Sequence, residues 1–287
     1  MTNNDAATET TVAIEASYNT GNGTGTGFMF AFMNATRDEA HPVLFTNKHV
    51  VEGAESIKLR FSTSAVDKAG VRNGVCTFFL DAGWRELWLP HPAQDVDLGC
   101  ISLGPLLHRL VSHGINGHGH MFSEKDLLDS AATAELSSVE DILMVGYPSG
   151  LYDTKHNRPL VRRGITASDI KLDFEGLQEF VIDCAAYPGS SGSPIVLPQK
   201  VVWSPAGVLL GLRRNALVGV LHAGPTRAIK GTVIVEPGVT PQETLHRDMM
   251  NLGYVIKAHR LREFRPLLAS LPTTLTVQVR SEFKAAA

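Results

Sequence analysis

Short apolar runs, cut by glycine, proline, asparagine and aspartate, dominate this chain, and helical periodicity is scarce. TVAIEAS, GFMFAFM, PVLFT, SIKLRFS, VCTFFL, LGCISL, ILMVG, QEFVIDC, SPIVL and LVGVLH recur about every 8 to 20 residues. Runs of that length are strands, and without helices between them they pair antiparallel, so the fold class is all-β, a sandwich or barrel. One stretch, about 105–136, breaks the pattern. It carries a His/Gly loop, HGINGHGHM, and then SEKDLLDSAATAEL, a predicted short helix with Ser123 as its N-cap. It reads as the linker between two β-rich halves, 11–104 and 137–270. The second half ends in a helical stretch, roughly His259 to Ala269, stopped or kinked near Pro266. The opening MTNNDAATETT is expected as a polar, frayed lead-in, and 271–287 as a tail.

Composition excludes several functions. Apolar residues make up 44% of the 287 and charged ones 19%, with a net charge of −3. There is no basic excess to drive phosphate binding, so no nucleic-acid partner is expected. No apolar run approaches the ~18 residues of a membrane span, so no membrane association is expected either. No signal-like segment opens the sequence, and the cytoplasm is the expected location. Cys76, Cys100 and Cys184 are odd in number, widely spaced and without a CxxC pair, which reads as buried free thiols. His113, His118 and His120 lack a carboxylate or Cys partner at ligand spacing, so they read as a solvated loop. No metal or other cofactor is expected.

The chemistry concentrates in Ala186 to Val196, AYPGSSGSPIV. Glycines around a serine let the backbone turn where a Cβ would forbid it, and such a turn aims consecutive N–H groups at one point. Ser191 is thereby a candidate nucleophile, beside an anion site made by the N–H groups of Gly189 and Ser191. Acyl transfer needs that pairing, because the attacked carbonyl oxygen becomes an oxyanion. A nucleophilic serine also needs a base and an orienting acid. His49 follows an apolar strand in FTNKHVVEG, and Asp97 opens another in QDVDLGCISL. Asp97 is preferred to Asp95 because it abuts the strand.

FTNKHVVEGAESIKLRF, DVDLGCISL and PGSSGSPIV together resemble the three triad segments of trypsin-like serine peptidases, and most nearly the bacterial high-temperature-requirement-like branch. GTGTGF before the histidine, the turn Gly146 to Gly150, the strand Val161 to Ala167 and Asp183 ahead of the serine fit the same pattern. The resemblance implies two six-stranded Greek-key β-barrels packed together, with a short helix between them and a C-terminal helix. It also implies a serine endopeptidase with Ser191 as nucleophile, His49 as base and then acid, Asp97 as orienting carboxylate, and a protein or peptide as substrate. The primary pocket would have Ala185 at its floor and His222, Ala223 and Gly224 along its wall. An alanine floor offers nothing to Lys or Arg, so cleavage after small-to-medium apolar residues is expected; His222 complicates this, because some relatives use a pocket histidine, one position earlier in the strand, to accept Gln or Glu.

The sequence departs from the family in two places. Secreted relatives carry an Asp just before the nucleophile, which pairs with a freed N-terminus; here that residue is Ser190. The oxyanion turn is therefore expected to be ordered by the chemistry of Pro188–Gly189 itself, by substrate or by a regulatory protein partner. A PDZ-type module is not expected, since about 30 residues follow Gly253–Tyr254–Val255. Two other readings compete. One is an α/β-hydrolase elbow using Ser191, Asp248 and His259, and the other is a catalytically silent peptidase-fold binding module. Gly21, Gly23, Gly25 and Gly27 read as a flexible turn. Arg162–Arg163 and the run His259, Arg260, Arg262, Arg265 read as solvated faces.

Overall fold

Among the described residues, strand pairing gives one large sheet, one closed barrel and two separate hairpins. The computed structural model describes residues 3–34, 36, 39–63, 74–115, 120–198, 201–204, 207–210, 216–233, 242–272 and 279–284. Helix α1 (Asn3–Thr10) leads into strands β1 (Thr11–Tyr18), β2 (Gly21–Met33) and β3 (Ala40–Thr46). The four-residue helix α2 (Lys48–Val51) precedes β4 (Ser56–Ser62), β5 (Val75–Leu80), β6 (Trp88–Pro90) and β7 (Gly99–Ser102). These strands pair in the order β5-β4-β1-β2-β3-β7, with β6 added beyond β7. That is the six-strand set expected of the first barrel, and among the described residues no ladder closes β5 on β7.

The linker contains α3 (Gly104–Ser112), β8 (Phe122–Ser123) and α4 (Ser130–Ala134). The single helix expected over SEKDLLDSAATAEL is instead two short turns. Ser123 and Asp126 form a capping box on a 3₁₀ turn, and the Asp129 side chain then accepts from Ala132 N–H to start α4. Two strong caps six residues apart end the first turn before it can propagate. Strand β8 runs back alongside β2, with Phe30 opposite Phe122.

The second half contains β9 (Asp141–Gly146), β10 (Leu160–Thr166), β11 (Glu179–Asp183), β12 (Pro194–Leu197), the hairpin β13 (Val201–Ser204) and β14 (Gly207–Leu210), β15 (Ala216–Ala223), the hairpin β16 (Thr226–Val233) and β17 (Gln242–Met249), and β18 (Leu252–Lys257). Six of these close into a barrel in the order β10-β11-β18-β15-β12-β9. A 3₁₀ helix, Ala258–Ser270, follows and continues past Pro266.

Strand β2 shows why the apolar runs are unbroken. Successive side chains of a strand point to opposite faces. Met29 enters the core of the first half, while Phe28, Phe30 and Phe32 enter a second core shared by both halves. That shared core gathers Phe45 of β3, Val145, Val196, Leu217 and Val220 of the barrel, and Phe264 of the 3₁₀ helix. A strand buried on both faces has no polar alternation to display. The barrel interior is a third core, built on Ile142, Met144, Phe180, Ile182, Ile195 and Val255.

Both termini differ from expectation. Within α1, Ala7 and Glu9 are buried, and Glu9 lies 3.4 Å from Arg158 of the β9–β10 loop. The described part of the segment is helical, and Glu9 ties it to a distant loop. Part of the expected tail forms β19 (Val279–Lys284), which pairs along β5 from Val279–Leu80 to Lys284–Val75. Its side chains are mostly exposed, so the backbone ladder and Val279 hold it. Cys76, Cys100 and Cys184 are buried free thiols; burial pushes Cys76 up to about 12 and raises the other two. Among the described residues no helix is long and apolar enough to cross a membrane.

The 3₁₀ helix is docked through His91, which follows β6. The imidazole packs edge-on against Phe264, its Nδ1 accepts from Ala93 N–H, and its Nε2 lies 3.0 Å from Glu263. Burial holds His91 below its ordinary value; Glu263 opposes the shift and Arg260 reinforces it. His259 is lowered in the same direction, again mainly by burial. A depressed folded value means that the native state binds fewer protons, so the contribution is present above about pH 6.5 and is lost as pH falls through the folded value. Thermal melts should therefore show a midpoint that drops as pH is lowered from 7 to 5, with a shallower drop in His91→Gln.

Candidate active site

The base and acid sit on adjacent elements of the first half. The α2 turn presents His49, and Asp97 stands just before β7. His49 Nδ1 is 2.5 Å from Asp97 Oδ2, and His49 N–H donates to Asp97 Oδ1 at 3.1 Å. A carboxylate held by both ring and backbone fixes the tautomer, leaving Nε2 as the nitrogen that accepts a proton. Asp95 is exposed, and it is Asp97 that meets the His49 ring. Sequence reasoning missed Asn47, which is fully buried and donates from Nδ2 to the Asp97 carbonyl at 2.7 Å. Lys48 Nζ adds a bond to Ala93 O in the same loop, at 2.9 Å.

The serine turn comes from the second half. Tyr187-Pro188-Gly189-Ser190 is closed by Ser190 N–H to Tyr187 O at 2.9 Å, with φ +85° at Gly189. Proline followed by a positive-φ glycine is the signature of a type II turn, so the local sequence dictates its shape. Among the described residues, the N–H groups of Gly189 and Ser191 donate to no protein acceptor, which leaves both free for an anion. Ser191 Oγ donates to His222 O at 3.4 Å and forms no hydrogen bond with His49.

Thr26 of β2 bolts this turn to the first half. Its hydroxyl donates to Gly189 O at 2.8 Å and accepts from Tyr147 N–H at 3.1 Å, while its own N–H donates to Ser191 O at 2.8 Å. Thr46, three residues before His49, in turn donates to Thr26 O at 2.8 Å. The glycines of GTGTGF are therefore not a flexible turn. A Cβ on Gly25 would fall 2.3 Å from Val50 of α2, and one on Gly27 would fall 2.9 Å from Phe45 O. They let β2 lie flush against the histidine turn.

Of the pocket residues, His222 and Ala223 end β15 and Gly224 follows; Ala185 is half-buried and its carbonyl accepts from Arg162 Nη1. The next residue, Ala186, is buried in the barrel core, 3.5 Å from a Cβ built on Gly224. The His222 ring lies 3.1 Å from Glu179 Oε2. Arg162 is the second residue that sequence reasoning misplaced. Arg163 is exposed and pairs with Asp141, whereas Arg162 is half-buried beneath the serine turn. Strand alternation makes two consecutive arginines face opposite ways. Arg260 is likewise not solvated, being mostly covered and paired with Glu263, and Arg265 ties the helix to Glu124; Arg262 is exposed.

The other candidates do not assemble. Asp248 pairs with Arg227 across the β16–β17 hairpin and His259 bonds Gln178, so neither is linked to Ser191. His113 bonds Arg109 O and stacks near Phe283. His118 lies outside the described residues, and among those described no metal-ligand cluster occurs. A cavity of about 960 Å³ bordered by Asn22, Gly23, Thr24, Lys58, Arg109 and Arg280 lies on the outer side of the first sheet rather than at the triad.

An all-β chain with an aspartate-locked histidine, a serine on a glycine turn and two unspent N–H groups is the architecture of a serine peptidase. The sequence model of the trypsin-like peptidase domain matches residues 25–203, and the chain belongs to that family. A search of curated sequences finds no match. Among solved structures, it is similar to the HtrA-type protease AlgW with tripeptide (14% identity, 93% of this chain and 62% of that one, TM-score 0.48). It is also similar to the serine endoprotease from Yersinia pestis (14% identity, 93% and 66% covered, TM-score 0.47). A third is the active form of a protease from M. tuberculosis (15% identity, 96% and 86% covered, TM-score 0.45). The chain spans just under two thirds of the length of the first two.

The tight contact at the turn has a measurable consequence. A Cβ on Gly192, at φ +85°, would fall 1.9 Å from Thr26 O, whereas one on Gly53, at φ +79°, meets nothing within 4 Å. Chemical denaturation should show Gly192→Ala destabilised by about 3 kcal/mol or more. Gly53→Ala should lose about 1–2 kcal/mol, the cost of the backbone alone.

Proposed function

We propose that this protein hydrolyses peptide bonds within polypeptides through His49, Asp97 and Ser191, by way of an acyl-enzyme. The observation that carries the reading is the Asp97 carboxylate on His49 Nδ1, together with a serine turn tied through Thr26 to Thr46 of the strand before His49, whose Gly189 and Ser191 N–H groups are unspent among the described residues. Ser191 rotates about χ1 from His222 O to His49 Nε2, a change between staggered wells. Its oxygen then bonds the substrate carbonyl carbon while His49 takes the proton, and the carbonyl oxygen becomes the anion held by the two N–H groups. The carbon–nitrogen bond breaks as His49 returns the proton to the leaving amine. Water, deprotonated by the same imidazole, releases the acyl group and restores Ser191. Asp97 stays ionised throughout and favours the imidazolium.

The half-buried Ala185, which offers no charge to Lys or Arg, supports a pocket for small-to-medium apolar side chains beside His222, Ala223 and Gly224. The Glu179 carboxylate beside His222 weighs against acidic ones. The proposed location is the cytoplasm, in keeping with three buried unpaired thiols.

One experiment separates this reading from a silent peptidase-fold binding module. A fluorophosphonate probe should label the wild-type protein at Ser191, and Ser191→Ala should keep its fold while losing labelling and peptide cleavage. A wild-type protein that takes no label would leave the binding module standing. In turnover, Asp97→Asn should fall about 10⁴-fold, as loss of an orienting acid does. Asp95→Asn should stay near wild type; the reverse ranking would move the acid to Asp95.

A further inference from the structure

The segment that leads into the nucleophile and carries the first oxyanion donor, Ala185 to Ser190, is held from the front by Thr26 and by Ser149 N–H, which donates to Pro188 O at 2.6 Å. Ala186 packs in the barrel core, and a polar contact is added by one side chain. Arg162 Nη2 donates to Ser190 Oγ at 2.8 Å and Nη1 donates to the Ala185 carbonyl, so a single guanidinium joins the two ends of the segment. Ser190 is wholly buried, facing away from the cleft that Ser191 enters.

Strand β10 is built to deliver that contact. Gly164, two residues on and therefore on the same face, lies so close to the segment's approach that a Cβ would fall 2.2 Å from Asp183 O and 2.7 Å from Cys184 Cβ. The glycine lets the strand press against the backbone, and Arg162 then reaches under the turn. Its acceptors are a hydroxyl and a carbonyl, with no carboxylate among the described ion pairs, and its shielded Nε has no partner among the described residues. Burial accordingly lowers its pKa from the ordinary arginine value, with Cys184 and Tyr187 opposing. A half-buried cation without an anion costs stability, and a methionine of similar reach would fill the space at less cost. What the guanidinium adds is two diverging donors in a rigid plane.

We propose that Arg162 is the positioning residue of the oxyanion turn, clamping Ala185 to Ser190 so that the Gly189 and Ser191 N–H groups converge before substrate arrives. This rests on the serine-peptidase reading and explains how the turn stays ordered with a serine, not an acid, ahead of the nucleophile. The clamp touches no reacting atom. It acts on the transition state, where the oxyanion exists, and leaves ground-state binding in the cleft alone.

The test is a set of Arg162 variants read by kinetics, by affinity for a peptide aldehyde that forms an oxyanion on Ser191, and by hydrogen exchange over 185–191. Arg162→Met should lower kcat about 10²-fold, as loss of one oxyanion donor does, with KM changed less than about twofold. Aldehyde affinity should fall in parallel and exchange at Gly189 and Ser191 should quicken. Arg162→Lys, a single point donor, should recover only part of the loss, and guanidinium added to Arg162→Ala should restore kcat. Wild-type kcat and aldehyde affinity in Arg162→Met would overturn the proposal. So would a loss shared by KM, melting temperature and kcat that guanidinium does not rescue, which marks ordinary structural support. If the wild-type protein takes no fluorophosphonate, the peptidase reading fails instead, and the exchange rates alone decide whether Arg162 orders the turn.

Discussion

Thr26 is the point on which the two halves of the site agree. It spends a hydroxyl proton on Gly189 O, a hydroxyl lone pair on Tyr147 N–H, its amide proton on Ser191 O and its carbonyl on Thr46. Thr26, Thr46 and Tyr147 are buried, and a buried polar atom left unpaired costs roughly 1–3 kcal/mol. The four bonds therefore stand or fall together. They fix the spacing between the serine turn of the second half and the strand that ends in the His49 turn. An inter-barrel catalytic site needs such a register, because the shared phenylalanine core is apolar and non-directional and sets distance without orientation.

The candidate triad was legible through the resemblance of its three segments to a known family, and each segment also carries a local pattern. A glycine-flanked serine, a histidine after an apolar strand and an aspartate opening another each imply a backbone geometry within a few residues. The type II turn at Pro188–Gly189 is likewise written in the two residues that form it. The all-β class followed from run length and spacing, and the division into two halves from the stretch that interrupts them. Chain order then gave the rest, since only one aspartate of QDVD abuts its strand.

What stayed hidden depends on partners far away in sequence. Nothing near Asn47 announces that its side chain will hold the Asp97 carbonyl. Nothing in MTNNDAATETT foretells that Glu9 will be buried against Arg158, or in SEFK that it will pair with β5. Arg162 is the instructive case. Taken as a charged pair, Arg162–Arg163 looks like a solvated face, and for Arg163 it is. The signal was available in the strand period. Two adjacent residues on a strand with one packed face cannot both reach solvent, and the small Gly164 on the Arg162 side marks the packed face.

The same geometry bears on how the site becomes competent. The loop from Tyr147 to Arg158 gives Ser149 N–H to Pro188 O, and it is itself anchored at several points. Tyr147 OH donates to Thr11 O at 3.2 Å, Asn157 Nδ2 donates to Ser62 Oγ at 3.0 Å, and Arg158 meets Glu9. Arg60 meets the Tyr152 hydroxyl and stacks on its ring. The serine turn is thus supported by a loop fastened to β1, β4 and α1, as well as by Thr26 and Arg162. Each support is an internal side chain or backbone group already in place. None needs a newly freed ammonium, whose burial beside the uncharged Ser190 would go uncompensated. In this fold, order in the oxyanion turn comes from the packed chain, with α1 serving as one of the fastenings.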